Sequence, residues 1–511
     1  MSHAALPLLS LLRRNLPDWP TGLGGRGIMS LQLRRLMTPH PDADCSAVAH
    51  ALAQWRWQLL PWDSQTIDML STLAKASGRQ GPPGWTQEPI PRPDEIFSLA
   101  MQAMAEGNTG VVRNAWRQHG ALSLYPGWLG ETCLFFLNQG DKTLSSMTLD
   151  TTRIGRDHPV RALLTALMAY RFETPDSALD HICALPDEFR WVRGLLEAQC
   201  RIHLGDRAGV EILTKLWREL PWHPNLCLKL HTLLSPQPER KPVEADTAVL
   251  IYSWNNDDLL AKTLASLAQS DLGAATVLVL DNGSSDHTPA VVGSASCLFG
   301  ERFRSLRLPV NIGAPAARNW LLGHPETSRF RTVVFVDDDI RLPPTWLTEL
   351  TARHRHALAD AIIGCRIMDQ VPKQSVQMAD VNLLGIGPDG EFLIANTGTG
   401  ELDLGLHEYN RPCLSVTGCC HLMNRERVEK LGGFDLRFAP SQFDDFDLDL
   451  RNALDGGRAI YVGSSAIRHC QRSSLNQADS EAKQGHIQGN MIKLNSKYSP
   501  EQKRELLRIN R

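Results

Sequence analysis

Three consecutive carboxylates, Asp337, Asp338 and Asp339, close a short run of β-branched and aromatic residues, Thr332 to Val336, within RTVVFVDDDIRLPP. An unbroken apolar run of this length predicts a strand buried on both faces. Ligands of an open α/β sheet sit outside the carboxyl ends of its strands, so a buried strand ending in acids aims charge at a cleft. Adjacent carboxylates repel one another, and a hard divalent cation is the usual way to hold them together. By itself the segment leaves a solvated acidic turn open as the alternative.

Two further segments repeat the design. A strand over 275–280 is followed by DNGSSDHT, Asp281 to Thr288, where a carboxylate at a strand end leads into a Gly-Ser turn and then Asp286 and Thr288. Such a loop can grip a polar ring or a ribose, and it also reads as a turn with a helix N-cap. In NIGAPAARNW, Asn311 to Trp320, Gly313 permits close backbone approach, small alanines pack a helix tightly and Arg318 supplies a cation to the same cleft. The elements that must position these groups alternate. Strands are predicted at 246–251, 275–280, 305–308 and 332–336. Helices fall at 259–270, from the DNGSSDHT loop to about 299, and at 314–322. That order implies an α/β fold with a mostly parallel sheet covered by helices.

Taken in this order, residues 247–469 resemble a family 2 glycosyltransferase with the GT-A nucleotide-sugar-binding fold. The matching positions are Ser253-Trp254-Asn255, Asp281 with Ser284-Ser285-Asp286, Asn311-Ile312-Gly313 with Arg318-Asn319, and the acid triplet as the family's DxD motif. TGCCHLMNRERVEKLGGFD, Thr417 to Asp435, matches the segment beside the donor sugar. FDDFDLDLR, Phe443 to Arg451, matches a motif usually written Glu-Asp, whose second acid is the general base. Here Asp444 replaces the Glu and Asp445 takes the base position.

The resemblance implies a nucleotide-sugar donor, a Mg²⁺ or Mn²⁺ ion at Asp337 and Asp339, and His469 as a third ligand. It implies donor contacts from Ser253, Asn255, Asp281, Asn311, Gly313, Arg318, Asp338, Gly418 and Asp444. A cation offsets the charge that grows on a departing diphosphate, and a carboxylate such as Asp445 on the opposite face of the sugar accepts the acceptor's proton. Single displacement inverts the anomeric carbon. A last short strand is expected at 459–462, with Ile467-Arg468-His469 after it and Arg472 as a further phosphate contact. In Cys419-Cys420-His421, adjacent cysteines of a strand point to opposite faces and do not readily share an ion, so Gly418 and Cys419 read as small residues making room for substrate.

The chain has 511 residues, too many for one ordinary core. Residues 1–77 and 94–234 read as helical, separated by the Pro- and Gly-rich stretch Ser77 to Pro93. Gly140-Asp141 and Gly205-Asp206 each end one helix before another, at a separation near two repeats of about 34 residues. The pattern resembles tetratricopeptide-type repeats, with an irregular helical domain as the equal alternative. SPQPERKPVEAD, Ser235 to Asp246, marks the boundary to the transferase-like domain at 246–472, and a helical tail is expected at 473–511. That tail either closes over the donor or packs.

Net charge is −3, so no global field favours nucleic acid or an anionic membrane. At 42% hydrophobic and 21% charged residues the composition is that of a globular protein. No run approaches the ~18 apolar residues of a membrane span, and the apolar patch at the N-terminus precedes its arginines, which predicts a cytoplasmic protein. Eleven scattered cysteines without CxxC suggest neither a disulfide framework nor structural zinc. The function expected is metal-dependent inverting transfer of a sugar to a hydroxyl of a glycan, a lipid-linked glycan or a protein, with the helical half presenting the acceptor or a protein partner, or else serving as a stabilising appendage or dimerisation module. The alternatives are a nucleotidyltransferase, disfavoured because SWNNDDLL after the first strand lacks a Gly-rich triphosphate loop, and a non-catalytic helical scaffold with a degenerate transferase domain.

Overall fold

The computed structural model describes residues 29–33, 36, 43–87, 95–105, 107–118, 126–152, 154–396, 400–470 and 481–510. Its first half is helical. Helices Pro126–Gln139 and Lys142–Thr151, Pro159–Phe172 and Pro175–Cys183, and Arg190–His203 and Ala208–Glu219 succeed one another across short turns and pack as neighbours. The turns follow from local chemistry. Gly140 and Gly205 take φ of 72° and 74°, a left-handed conformation that costs glycine little. Asp141 then caps the next helix by accepting from the Leu144 amide at 2.9 Å. In the helices that begin at Pro159, Pro175 and Pro224, proline at the first turn stands behind the capping side chains of His158, Thr174 and His223.

The second half is a layered α/β domain. β1 (Thr247–Ser253), β2 (Thr276–Asp281), β3 (Phe303–Arg307) and β4 (Thr332–Val336) form a parallel core in the order β3-β2-β1-β4. The chain turns outward in one direction after β1 and in the other at β4, which creates a topological switch point at the ends of β1 and β4. β5 (Ile340–Arg341), β6 (Ala361–Asp369), β7 (Ser375–Met378), β8 (Val381–Ile386), β9 (Phe392–Asn396), β10 (Glu401–Leu402), β11 (Asn410–Cys413), β12 (Cys420–Asn424) and β13 (Arg458–His469) complete the strands. β12 enters antiparallel between β4 and β6, β13 pairs with β6 in parallel, and β8 with β9 forms a separate ribbon. Helices Asp257–Ala268, Ala314–Gly323 and Trp346–His356 bury apolar faces against the sheet. The parallel core matches the strands expected from sequence to within two residues.

The strand predicted at 459–462 differs. β13 runs twelve residues and carries His469 itself. Its register shifts between Val462 and Ala466, where Gly463-Ser464-Ser465 interrupts the apolar run, and pairing with β6 then resumes from Ala466 with Arg366. A bulge was hidden inside what reads as a strand end.

The two halves share a core. Leu406 is buried among helical residues such as Leu195, Leu226 and Leu230, with Leu402 and Leu404 packed against the same cluster. Lys229, 1% exposed, donates to Glu408 at 2.8 Å and to the Gly405 carbonyl at 2.7 Å. Arg366 pairs with Asp403 at 2.9 Å and Glu408 at 3.3 Å. At the other end, helices Glu481–Lys497 and Pro500–Asn510 bury Leu494, Tyr498 and Leu506 beside Phe438, Phe446 and Leu450, so the tail packs on the helix Asp444–Leu454. No helix among the described residues is long and apolar enough to cross a membrane.

Candidate active site

The acids after β4 sit where the switch point requires. Asp337 is held by β12, whose antiparallel register puts Cys420 opposite Val336 and so lets the Asp337 amide donate to the Cys419 carbonyl at 3.1 Å. Asp338 turns the other way and accepts from the Ser253 hydroxyl at the end of β1. Asp339 lies against β13, where the Cys470 amide donates to its carbonyl at 2.7 Å. Pairing of β13 with β5 sets His469 opposite Ile340. His469 Nε2 is then 3.0 Å from Asp339 Oδ1 and 3.9 Å from Asp337 Oδ2. On the far side of the ring Nδ1 is 2.7 Å from Oε1 of Gln377 on β7. An amide oxygen only accepts, so Nδ1 carries the proton and Nε2 faces the acids.

Charge in this corner is under-compensated. Burial, aided by the charge of Asp339, pushes the Asp338 carboxyl up to about 7, against the opposing Ser253 hydrogen bond. Burial raises Asp337 as well, reinforced by Asp339 and opposed by Arg318. For His469 burial works against the imidazolium, but the hydrogen bond and charge of Asp339 outweigh it and hold its pKa above the ordinary value. A carboxylate oxygen of Asp337, the sulfur of Cys419 and a ring nitrogen of His469 all lie within 4.8 Å of one another. Clustered acids destabilised by burial and mutual repulsion, beside an imidazole oriented by an outer hydrogen bond, fit a divalent cation.

Arg318 connects this corner to the second group of acids. Its guanidinium pairs with Asp444, lies 3.6 Å from Asp337, and is sandwiched by the rings of Tyr252 and Phe434, each 5.3 Å from its carbon. Burial disfavours the cation, yet Tyr252, Asp444 and Asp337 hold its pKa well above the usual arginine value. Asp444 is spent on this pair, and Asp445 is left facing the cleft. Its Oδ1 accepts from the Phe446 amide at 2.8 Å and its Oδ2 from the Gly418 amide at 2.6 Å. Both bonds fix the orientation of its carboxyl group at the start of the helix Asp444–Leu454. A Cβ on Gly418 would lie 2.8 Å from Oδ2 of Asp445 and 3.1 Å from Arg318 Nη2. Gly418 therefore makes room for Asp445 and Arg318.

The loops after β1, β2 and β3 form one wall. Asn255, at φ 49°, accepts from the Ser285 amide at 2.8 Å through Oδ1, and its own amide donates to Ser284 Oγ at 3.0 Å. Asp281 is buried, accepts from the Ser284 amide at 2.9 Å and pairs with Arg307 at 3.1 Å. Asn282 donates from Nδ2 to Asn311 Oδ1 at 2.9 Å, and the same oxygen accepts from the Gly313 amide at 2.8 Å. Gly313, at φ 81°, would place a Cβ 3.0 Å from Pro440 Cα, so its freedom admits the segment that leads to Asp445. Trp254 stands half exposed on this wall.

The structure thus brings Asp337, Asp338, Asp339, His469, Arg318, Asp444, Asp445, Gly418 and Ser253 to one cleft, with Asn255, Asp281, Asn311 and Gly313 in the adjoining wall. Arg472 lies outside the described residues. Two residues, Gln377 and Asn490, escaped the sequence reading, and a third, Cys419, was read there only as a small residue making room for substrate. Gln377 orients His469 from an edge strand that carries no motif. Cys419 reaches the metal corner although its neighbour Cys420 points into the core beside Cys365. Asn490, on the terminal helix Glu481–Lys497, donates to the carbonyls of Phe438, Ser441 and Gln442 at 3.2, 2.9 and 3.3 Å. It braces a segment in which Gln442 and Phe443 take φ of 82° and 69°, strained for residues with a side chain.

Residues 248–432 match the family model described as glycosyl transferase family 2. The O-antigen biosynthesis protein RfbC of Myxococcus xanthus is 27% identical over 230 residues, which cover 44% of this chain. The match takes in only 17% of that relative's length. Among solved structures, mannosyltransferase PcManGT from Pyrobaculum calidifontis, in complex with GDP-Man and Mn²⁺, is 17% identical over 59% of this chain and 79% of its own, with a TM-score of 0.38. GalNAc-T7 with UDP, GalNAc and Mn²⁺ is 16% identical over 44% of this chain and 43% of its own, with a TM-score of 0.36.

Proposed function

We propose, from the premise that residues 248–432 form a family 2 glycosyltransferase domain, that the protein moves a sugar from a nucleoside-diphosphate donor to an acceptor hydroxyl with inversion. The observation that carries this reading is the division of acids in one cleft. Asp337, Asp338 and Asp339 gather with His469 at the end of β4, while Asp445 stands apart at a helix start, joined to them through Arg318. One group suits the departing diphosphate and the other the incoming hydroxyl.

A Mg²⁺ or Mn²⁺ ion at Asp337, Asp339 and His469 supplies, when bound, the positive charge that offsets the diphosphate. Asp281, Asn255 and Asn311 line the wall that receives base and ribose, and Ser253 with Asp338 holds the edge between base and diphosphate. Arg318 is paired with Asp444, which leaves Asp445 to face the acceptor. Asp445 takes the hydroxyl proton as the new bond to the anomeric carbon forms, and the old carbon–oxygen bond breaks with its electron pair going to the diphosphate. The helical half, fused to the cleft domain through Leu402 to Glu408, is the part we assign to receiving a glycan, lipid-linked glycan or protein that bears the hydroxyl.

Asp445→Asn tests the division of labour. Nucleotide-sugar binding by calorimetry should persist while turnover falls by about 100-fold or more. Equal loss of binding would move Asp445 to the donor side.

A further inference from the structure

Within the transferase reading, which this inference rests on, the identity of the cation is set by a residue that no acid motif includes. The strand β12 runs antiparallel to β4 with Cys420 opposite Val336, and just beyond this pair the Cys419 carbonyl accepts from the Asp337 amide at 3.1 Å. Cys420 is 0% exposed in the core under the sheet, whereas Cys419, in the turn before β12, is only partly buried at the edge of the same cluster. Its sulfur, a carboxylate oxygen of Asp337 and a ring nitrogen of His469 lie within 4.8 Å of one another. Ligands bound to one ion at about 2.0–2.3 Å are separated by less than twice that length, so the three atoms reach a common centre with small rotations. Asp339, 3.0 Å from His469 Nε2, is at hand as a further oxygen ligand.

We propose that Cys419 is an inner-sphere ligand of the cleft cation, which makes the site an oxygen, nitrogen and sulfur site selective for Mn²⁺ or a later divalent transition ion over Mg²⁺. Mg²⁺ favours six oxygens and keeps its waters, while thiolate and imidazole favour softer ions. Binding replaces the S–H bond by a sulfur–metal bond and releases the proton to solvent, with no change of oxidation state.

Cobalt(II), added alone to the full-length protein, reports the bond directly, because a cobalt-bound thiolate has a sulfur-to-metal charge-transfer absorption that oxygen and nitrogen ligands lack. The wild type should show this band. Cys419→Ser should lose it and bind Co²⁺ about 10-fold or more weakly. Cys470→Ser, which removes the other thiol near Asp339, should keep it. No band in the wild type, a band unchanged in Cys419→Ser, or a band lost in Cys470→Ser would each overturn the assignment. Cation-dependent release of nucleoside diphosphate from nucleotide sugars, measured on the same wild-type sample, separates the two levels of the claim. Release without the band leaves the transferase reading standing and removes Cys419 from the metal, whereas the band without release does the reverse.

Discussion

The Gly418 amide donates a 2.6 Å hydrogen bond to Oδ2 of Asp445, and no side chain fits between them. A methyl group there would meet that oxygen at 2.8 Å and push against Arg318 at the same time. Gly418→Ala should therefore displace Asp445 from the acceptor and lower kcat by about 10- to 100-fold, since a misplacement near 1 Å has that effect. Arg318 also lies 3.6 Å from Asp337, so the affinity for nucleotide sugar is measured alongside, and the loss in kcat should exceed the loss in affinity. An unchanged kcat would show that the glycine serves only the strand end.

A second prediction concerns stability and lies far from the cleft. His223 is buried in the helical half, edge-on to Trp55 at 4.7 Å and stacked on Trp222 at 5.7 Å, with Nδ1 accepting from the Leu226 amide at 3.4 Å. Burial pushes its pKa down to about 3, from 6.5 in the unfolded chain. Between those values the unfolded state binds the extra proton. The contribution of neutral His223 is thus complete above 6.5 and declines as pH falls toward 3, by about 1.4 kcal/mol per pH unit. Denaturant midpoints should drop from pH 7 to pH 5, and His223→Asn, which keeps a capping side chain, should flatten that dependence. Parallel pH profiles for the two proteins would contradict it.

The parallel core was legible because β1, β2 and β4 are continuous apolar runs ending in polar loops. The places of the acids in the fold were legible because Asp337 to Asp339 follow such a run and Asp445 lies at a helix start. What escaped depends on pairing between distant segments. Nothing in TGCCHLMN announces that β12 enters antiparallel beside β4, and that register alone brings Cys419 to Asp337. Gln377 and Asn490 are single polar residues on an edge strand and a terminal helix, and only tertiary packing gives them partners. β13 was cut short because Gly463-Ser464-Ser465 mimics a turn.

The change from helices to alternating strands and helices across Ser235 to Asp246 was visible too, but the contact across it was not. Removing everything before Lys241 would uncover Leu402, Leu404 and Leu406 and leave Arg366, Asp403 and Glu408 without Lys229. We predict that such a truncation is aggregated or strongly destabilised. Leu406→Asp in the full chain, which puts a charge into the same core, should lower the melting temperature by about 3 °C or more, from a destabilisation of about 3 kcal/mol or more. A monomeric truncated protein with a cooperative melt near that of the full chain would show that the two halves are independent.

The central claim is that the cleft between β4, β12, β13 and the helix Asp444–Leu454 activates a nucleotide sugar with a divalent cation. Its most direct test is the release of free nucleoside diphosphate from a panel of UDP-, GDP- and dTDP-sugars, with Mn²⁺ or with a chelator, by wild type and Asp337→Asn. Slow release is expected from at least one sugar with Mn²⁺, abolished by chelation and reduced by about 100-fold or more in Asp337→Asn. Release that is indifferent to chelation and to Asp337→Asn, or no release from any member of the panel by a folded wild-type protein, would contradict it.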